Sequence, residues 1–499
     1  MGANASLTGT ASSVTCFRGI EYSNNLKKTS MELSQLLYWL IIAFILMDAA
    51  IALWLTTLEI KASKWPVPKI LEGLYDDEKY RKQQAYSSEN RRIGFLTSSI
   101  TLVFSLCFFA FGGFPWLDSV VRAASGSDII RSLLFFGFFF VVEFLLGLPF
   151  SIYTTFSIEQ RYGFNKSTPG LFAADTVKGF LLNAILNGGL LAIAVWIYTL
   201  NPKWFWLIAF FVFTAFTLFF QYFYSEIIVP LFNKQTPLEK GELRDAIEAF
   251  AHLTGFELEN IYVMDESKRT TKANAYFTGF GKKKRVVLFD TLIQQLSTDE
   301  IVGVLAHEIG HYKRHHLLKD MGLSLLTNLL LFWIASLILD NPTIAAAAGC
   351  EEPSFWINLQ VFGMLLAPIG LLQGLVDNAI SRKHEREADG YAFQYGCGAN
   401  EASALKKMSA QALSNLTPHP VVVRFEYSHP TLAERVETLT RPCPITWKDG
   451  ALFLKGTEGR RDTRIPEDAL RGFLPGSKDH GRRPPKGTIE DFAGNKPDS

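Results

Sequence analysis

His307 and His311 stand four residues apart in the run His307-Glu308-Ile309-Gly310-His311. On a helix that spacing puts both imidazoles on one face, one turn from each other. Two ring nitrogens so placed reach a single ion at about 2.0–2.1 Å. Glu308, between them, is then free to take a proton from a water that the ion activates. A third ligand is offered by His384-Glu385-Arg386-Glu387-Ala388-Asp389. Spacing alone does not choose between Glu385 and Glu387, and a solvated charged helix is the bland reading of the same segment. Two histidines and one carboxylate leave one coordination position for water, the composition of a catalytic zinc site with one Zn2+ per chain. Asp389 follows Glu385 by four residues on the same face, placed to accept the second ring proton of a ligating histidine. His315 is eight residues beyond His307, about 12 Å along a straight helix. It and His316 therefore read as basic surface residues near a membrane interface.

The elements that must position these groups are legible next to them. Ser297-Thr298-Asp299-Glu300 is a capping box that starts the metal-binding helix. Ahead of it the chain reads as α/β, with an amphipathic helix over 238–253 and strands at 261–264 and 285–289, the second following turn signals at Gly279 and Gly281.

The setting is a membrane. Of 499 residues 48% are apolar, with 41 Phe, concentrated in seven runs long enough to span a bilayer at roughly 20 residues each. They lie at 36–58, 93–114, 132–153, 179–200, 204–224, 321–339 and 356–376. The segment 59–92 holds eight Lys or Arg, and 225–320 and the chain after 381 are rich in them, whereas 340–355 has none. Positive loops stay inside, which predicts an outward N-terminus, a cytosolic C-terminus and a cytosolic metal helix. Asp48, Glu143, Asn183, Asn187 and Asn328 fall within spans and must face one another or a wet interior. A net charge of +1 offers no field for nucleic acid. The five cysteines lack C-x-x-C spacing, so neither a disulfide framework nor a thiolate metal site is read. Met1-Gly2 fits the loose N-myristoylation pattern, which the outward N-terminus makes a chance match.

Together these residues resemble the type I CAAX prenyl endopeptidases, seven-span zinc metalloproteases. The resemblance rests on His307 to His311, Glu385 to Asp389, Asn274-Ala275-Tyr276, and Ser428-His429-Pro430 followed by Arg435. The stretch from Leu148-Pro149-Phe150 through Ile158-Glu159-Gln160-Arg161-Tyr162-Gly163-Phe164-Asn165 resembles the family's third-span exit. His384 stands where the family commonly has an aromatic residue. The resemblance implies Glu385 as third ligand, with Glu308, Asp389 and His429 as the catalytic group. It also implies that Asn274, Ala275, Tyr276 and Arg435 meet the substrate, the strand adding it as a further strand, and that Arg435 steadies the site.

The expected fold is an α-helical integral membrane protein whose seven spans form a chamber, with a mostly helical zincin-like domain and a small sheet on the cytosolic side. The expected division is a flexible segment 1–30, five spans in 31–224, a first protease segment with the metal-binding helix in 225–320, two spans in 321–380, a second protease segment with the third ligand in 381–440 and a polar, largely disordered tail 441–499. The expected function is zinc-dependent peptide hydrolysis resembling removal of the last three residues of prenylated CAAX proteins. Its rivals are a broader quality-control metalloprotease and a channel or transporter with structural zinc. The expected partners are a peptide or protein substrate, C-terminally prenylated, and the lipid bilayer, with no nucleic acid, the chain acting as a monomer. The membrane is that of the endoplasmic reticulum in a eukaryote or the inner membrane in a bacterium.

Overall fold

The computed structural model describes residues 10–258, 260–278, 285–443, 445–454 and 462–465. Six helices are long and apolar enough to cross a bilayer: Thr29–Ala62, Asp77–Ala110, Asp128–Tyr162, Pro169–Leu200, Phe205–Leu231 and His316–Ser336. A bent pair, Phe355–Leu365 and Ala367–Gln394, meets at 53° and makes a seventh crossing when counted as one span. Pro368 sits in the first turn of the second half, where its missing N–H breaks no hydrogen bond and its ring ends the preceding helix. The chain is a multi-pass membrane protein, as the apolar runs require. Side chains such as Ile185 and Leu326, 69% and 66% exposed, lie on surfaces that only lipid would cover.

Several spanning helices run to 34 or 35 residues, about 50 Å against a hydrocarbon core of about 30 Å. The excess carries the protease domain. Asp76 caps the helix Asp77–Ala110, accepting from Lys79 N at 2.7 Å, and the polar first turns of that helix bind the third-span exit. There Tyr86 donates to Glu159 at 2.5 Å, and Arg161 pairs with Glu89 at 2.8 Å. Lys272 reaches Glu159 at 3.0 Å, Arg269 reaches Asp175 at 2.8 Å and Arg285 reaches Glu226 at 2.7 Å, tying the protease domain to the span ends.

That domain is built on a four-stranded sheet, β1 (Gln235–Pro237), β2 (Asn260–Met264), β3 (Ala275–Thr278) and β4 (Arg285–Phe289), in the order β1-β2-β4-β3. β2 and β4 run parallel, and β3 lies antiparallel on β4 with Ala275 opposite Leu288. The turn glycines Gly279 and Gly281 lie outside the described residues. Ile261, Val286 and Leu288 cover one sheet face with Ile247 and Phe250 of the helix Glu242–Leu253. Against them packs the motif helix, Thr298–Lys313, through Ile301, Val302, Leu305, Ala306 and Ile309. Its capping box is complete: Ser297 Oγ accepts from Glu300 N, and Ser297 N donates back to Glu300 at 2.8 Å.

The first helix is Thr10–Ala62. After 440, Ile445–Lys448, Ala451–Leu454 and Thr463–Arg464 form a second sheet. Trp447 and Leu452 are buried in the protease core beside Phe250 and Tyr395. Strands of two to four residues are too short to show a period, and it is tertiary packing that orders them. The rest of the tail, 466–499, lies outside the described residues.

The span residues Asp48, Glu143, Asn183 and Asn187 are exposed, and Asn328 is half-buried. Asn183 donates to Gly179 O and Asn187 to Asn183, both along their own helix. Among the described residues none of the five bonds across to another span.

Close packing at the motif helix depends on two glycines. A Cβ at Gly303 would lie 2.6 Å from Glu401 N, and one at Gly310 would lie 2.9 Å from Tyr391 Cβ and 3.0 Å from Ala388 Cα. Gly310→Ala is therefore expected to cost about 1–3 kcal/mol by overpacking. The melting temperature of the purified protein reads this, with Gly322→Ala, in open space, as the unchanged control.

Candidate metal centre

The motif helix presents His307 and His311 to the helix Ala367–Gln394, which carries Glu385. Their Nε2 atoms are 3.0 Å apart. Glu385 Oε2 lies 3.4 Å from His307 Nε2, and Oε1 lies 3.3 Å from His311 Nε2. Donors about 2.0–2.2 Å from one tetrahedral ion stand roughly 3.3 Å from each other, so the three converge as ligands of one ion would. Two further observations fit. Glu385 Oε2 is buried and accepts no hydrogen bond, a cost that an ion would remove. Around it, Glu385, Asp389 and Glu401 are buried with one guanidinium, Arg435, which leaves two negative charges for a divalent cation to neutralise. Among the described residues no fourth His, Cys, Asp or Glu donor joins the three. Glu387, the other ligand candidate, turns away to His316 Nε2 at 3.0 Å.

The side of His307 facing away from the cluster is held as firmly. Its Nδ1 lies 2.8 Å from Asp389 Oδ1 and 3.1 Å from Glu401 Oε1. With Nε2 free for the ion, Nδ1 carries the proton and donates to Asp389. Arg435, expected among the substrate contacts, is only 10% exposed and donates to Asp389 at 2.6 Å and to Glu401 at 2.9 Å. Its guanidinium is engaged by these two carboxylates. Burial pushes the Glu401 carboxyl above the ordinary range, against the pull of His307 and Arg435. Glu308 is half-buried and takes no hydrogen bond or ion pair among the described residues.

The remaining expected site residues come from two other elements, of which the loop of His429 meets the cluster. His429 is 58% exposed, with Nε2 at 3.4 Å from Glu385 Oε1 and Nδ1 at 2.8 Å from Ser428 Oγ. Its loop is fixed from below by Arg382, which donates to Val423 O at 2.9 Å and Tyr427 O at 2.7 Å. Asn274 accepts from Ala275 N through Oδ1 at 2.8 Å, and its carbonyl accepts from Phe289 N at 3.1 Å. These set the start of β3, the sheet's edge strand, which among the described residues pairs only with β4. Tyr276 is half-buried, its hydroxyl accepting from Gln235 Nε2 at 3.2 Å.

Sequence reasoning missed two groups. Glu401 sits in the stripe of Leu405 and Met408 on Gly398–Gln411, and an acidic residue on an apolar face is the signal that could have found it. His316, read as a surface residue, is 2% exposed. It is kept from the surface because His315 takes a left-handed conformation, φ 57°, between the motif helix and the next span.

Two family models divide the chain: "CAAX prenyl protease N-terminal, five membrane helices" matches residues 56–234, and "Peptidase family M48" matches 237–443. The CAAX prenyl protease 1 of Saccharomyces cerevisiae is 35% identical over 406 residues, 76% of this chain and 89% of that protein. The Arabidopsis thaliana homologue is 32% identical, covering 80% of this chain and 96% of its own length. The human homologue is 28% identical, with coverage of 75% and 88%. The crystal structure of S. mikatae Ste24p superposes with a TM-score of 0.77 at 32% identity, over 81% of this chain and 99% of that one. Together with the converging His307, His311 and Glu385, these matches place the chain in peptidase family M48 as a membrane metallopeptidase with the CAAX prenyl protease N-terminal domain.

Proposed function

We propose that this chain is a zinc endopeptidase that removes the last three residues from prenylated proteins ending in Cys-a-a-X. The observation that carries the reading is the convergence of His307 Nε2, His311 Nε2 and Glu385 within 3.0–3.4 Å in a chain whose relatives are CAAX prenyl proteases. One Zn2+ held by these three residues would act as a Lewis acid that lowers the pKa of water and polarises the scissile carbonyl.

The chain's own groups do the rest. The Glu308 carboxylate, uncommitted to any described partner, takes the proton of the attacking water and passes it to the leaving amine. His429, beside Glu385 and open to the substrate side, donates to the developing oxyanion. Asp389 holds the His307 tautomer, and Arg435 and Glu401 hold Asp389 in turn. An extended peptide would add to the open edge of β3 from Asn274 onward, its main chain fixed by strand hydrogen bonds. The structural-zinc rival requires a fourth protein donor, and the described residues offer none.

Seven crossings with positive loops on the protease side support a cytosolic site and C-terminus. The yeast, plant and human relatives support the endoplasmic reticulum over a bacterial inner membrane. A monomer suffices, since every group named comes from one chain. The two spans within 321–380 divide the protease into halves at 225–320 and 381–440, and the second sheet packs onto the same core.

Glu308→Gln is expected to keep its zinc and lose about 10²–10⁴ in turnover of a farnesylated peptide; a zinc-loaded variant with full turnover would refute the role. In sealed microsomes an epitope fused after Ser499 should be digested by added protease without detergent. Protection of that epitope would reverse the orientation.

A further inference from the structure

His311 has two ring nitrogens, and the site described above uses one of them. Its Nδ1 points the other way and lies 3.0 Å from His316 Nδ1. On the far side of that second ring, His316 Nε2 lies 3.0 Å from Glu387 Oε2. If His311 Nε2 keeps its lone pair for the ion, its proton sits on Nδ1 and must be donated. His316 Nδ1 is then the acceptor, so the His316 proton sits on Nε2, where Glu387 accepts it. One tautomer assignment satisfies every atom of this chain in sequence.

The backbone bends to make this contact. On an uninterrupted helix residue 316 would lie roughly 140° around the axis from residue 311, facing elsewhere. Instead His315 adopts φ 57° and ψ 34°, a left-handed conformation that is costly for a residue with a Cβ, and the next helix starts with His316 folded back under His311. Strain of this kind persists where surrounding contacts over-determine it. The contacts are there: His316 is 2% exposed and stacks on His384, ring centroids 4.0 Å apart and planes within 8°. His384 in turn places Nδ1 3.3 Å from Asp320 Oδ1. His384 thus supplies a flat partner, itself held by Asp320, that fixes the second ring.

We infer that His316 is a positioning residue for the metal site, locking the tautomer and ring plane of His311 through a His311–His316–Glu387 relay, as Asp389 does for His307. This rests on His311 being a zinc ligand. Outer partners of a ligating histidine contribute about 10–100-fold in metal affinity.

The test measures zinc affinity of the full-length protein in detergent by competition with a chromogenic chelator, beside the melting temperature of the zinc-free protein. His316→Phe keeps a ring against His384 and removes the acceptor; His316→Asn keeps an acceptor near the Nδ1 position. The expected result is zinc held about 10–100-fold more weakly by His316→Phe, an unchanged zinc-free melting temperature, and recovery of most of the affinity in His316→Asn. Wild-type affinity in His316→Phe overturns the inference. So does a loss that tracks a lowered zinc-free melting temperature and is not recovered by Asn, because that is a packing role. His311→Ala in the same assay separates the two levels: undiminished zinc binding there would bring down the metal site itself.

Discussion

The site depends on how closely the motif helix can approach its two neighbours. His307 and His311 are fixed relative to each other by helix geometry alone. Glu385 reaches them from the second half of the bent seventh crossing, and its distance from the imidazoles is set by contact at Gly310 against Ala388 and Tyr391. Gly303 does the same for Gly398–Gln411, whose Glu401 lies against His307. A methyl group at either position would push a carboxylate away from the imidazole that it serves. Helix packing at this distance is steric before it is electrostatic, and the charges are arranged within the space that it leaves.

Within that space three buried carboxylates share the Arg435 guanidinium. Arg435 joins Asp389 to Glu401 and so braces His307 from behind, while Glu385 faces the open side with His429. Buried ion pairs of this sort add little net stability, since desolvation offsets their attraction, but they fix geometry strongly. His316 gives His311 the corresponding support from a different direction. Each of the two imidazoles is thereby bonded at its far nitrogen, which would lower the reorganisation that binding an ion requires. The membrane enters through the strained residue His315, the hinge at which the motif helix ends and a spanning helix begins.

How much of this the sequence disclosed follows the range of the interactions. The capping box, the His307–His311 pair and the apolar runs are local patterns, and the structure has them where spacing puts them. Glu385 against Glu387 was open to spacing because both lie on one charged turn; a resemblance, and then geometry, separated them. Glu401, Arg382 and the burial of His316 depend on contacts between segments far apart in the chain or on one left-handed residue, neither of which leaves a periodic trace. The strands after 444 are too short to show a period, and the packing of Trp447 and Leu452 into the protease core orders them.

X-ray absorption at the zinc edge of the purified protein tests most directly that His307, His311 and Glu385 form an open, catalytic metal site. The expected first shell is two imidazole nitrogens with oxygen donors at about 2.0–2.2 Å and no sulfur, altered when Glu385 is replaced by Ala. A thiolate scatterer at about 2.3 Å, or a shell unchanged by Glu385→Ala, would contradict it.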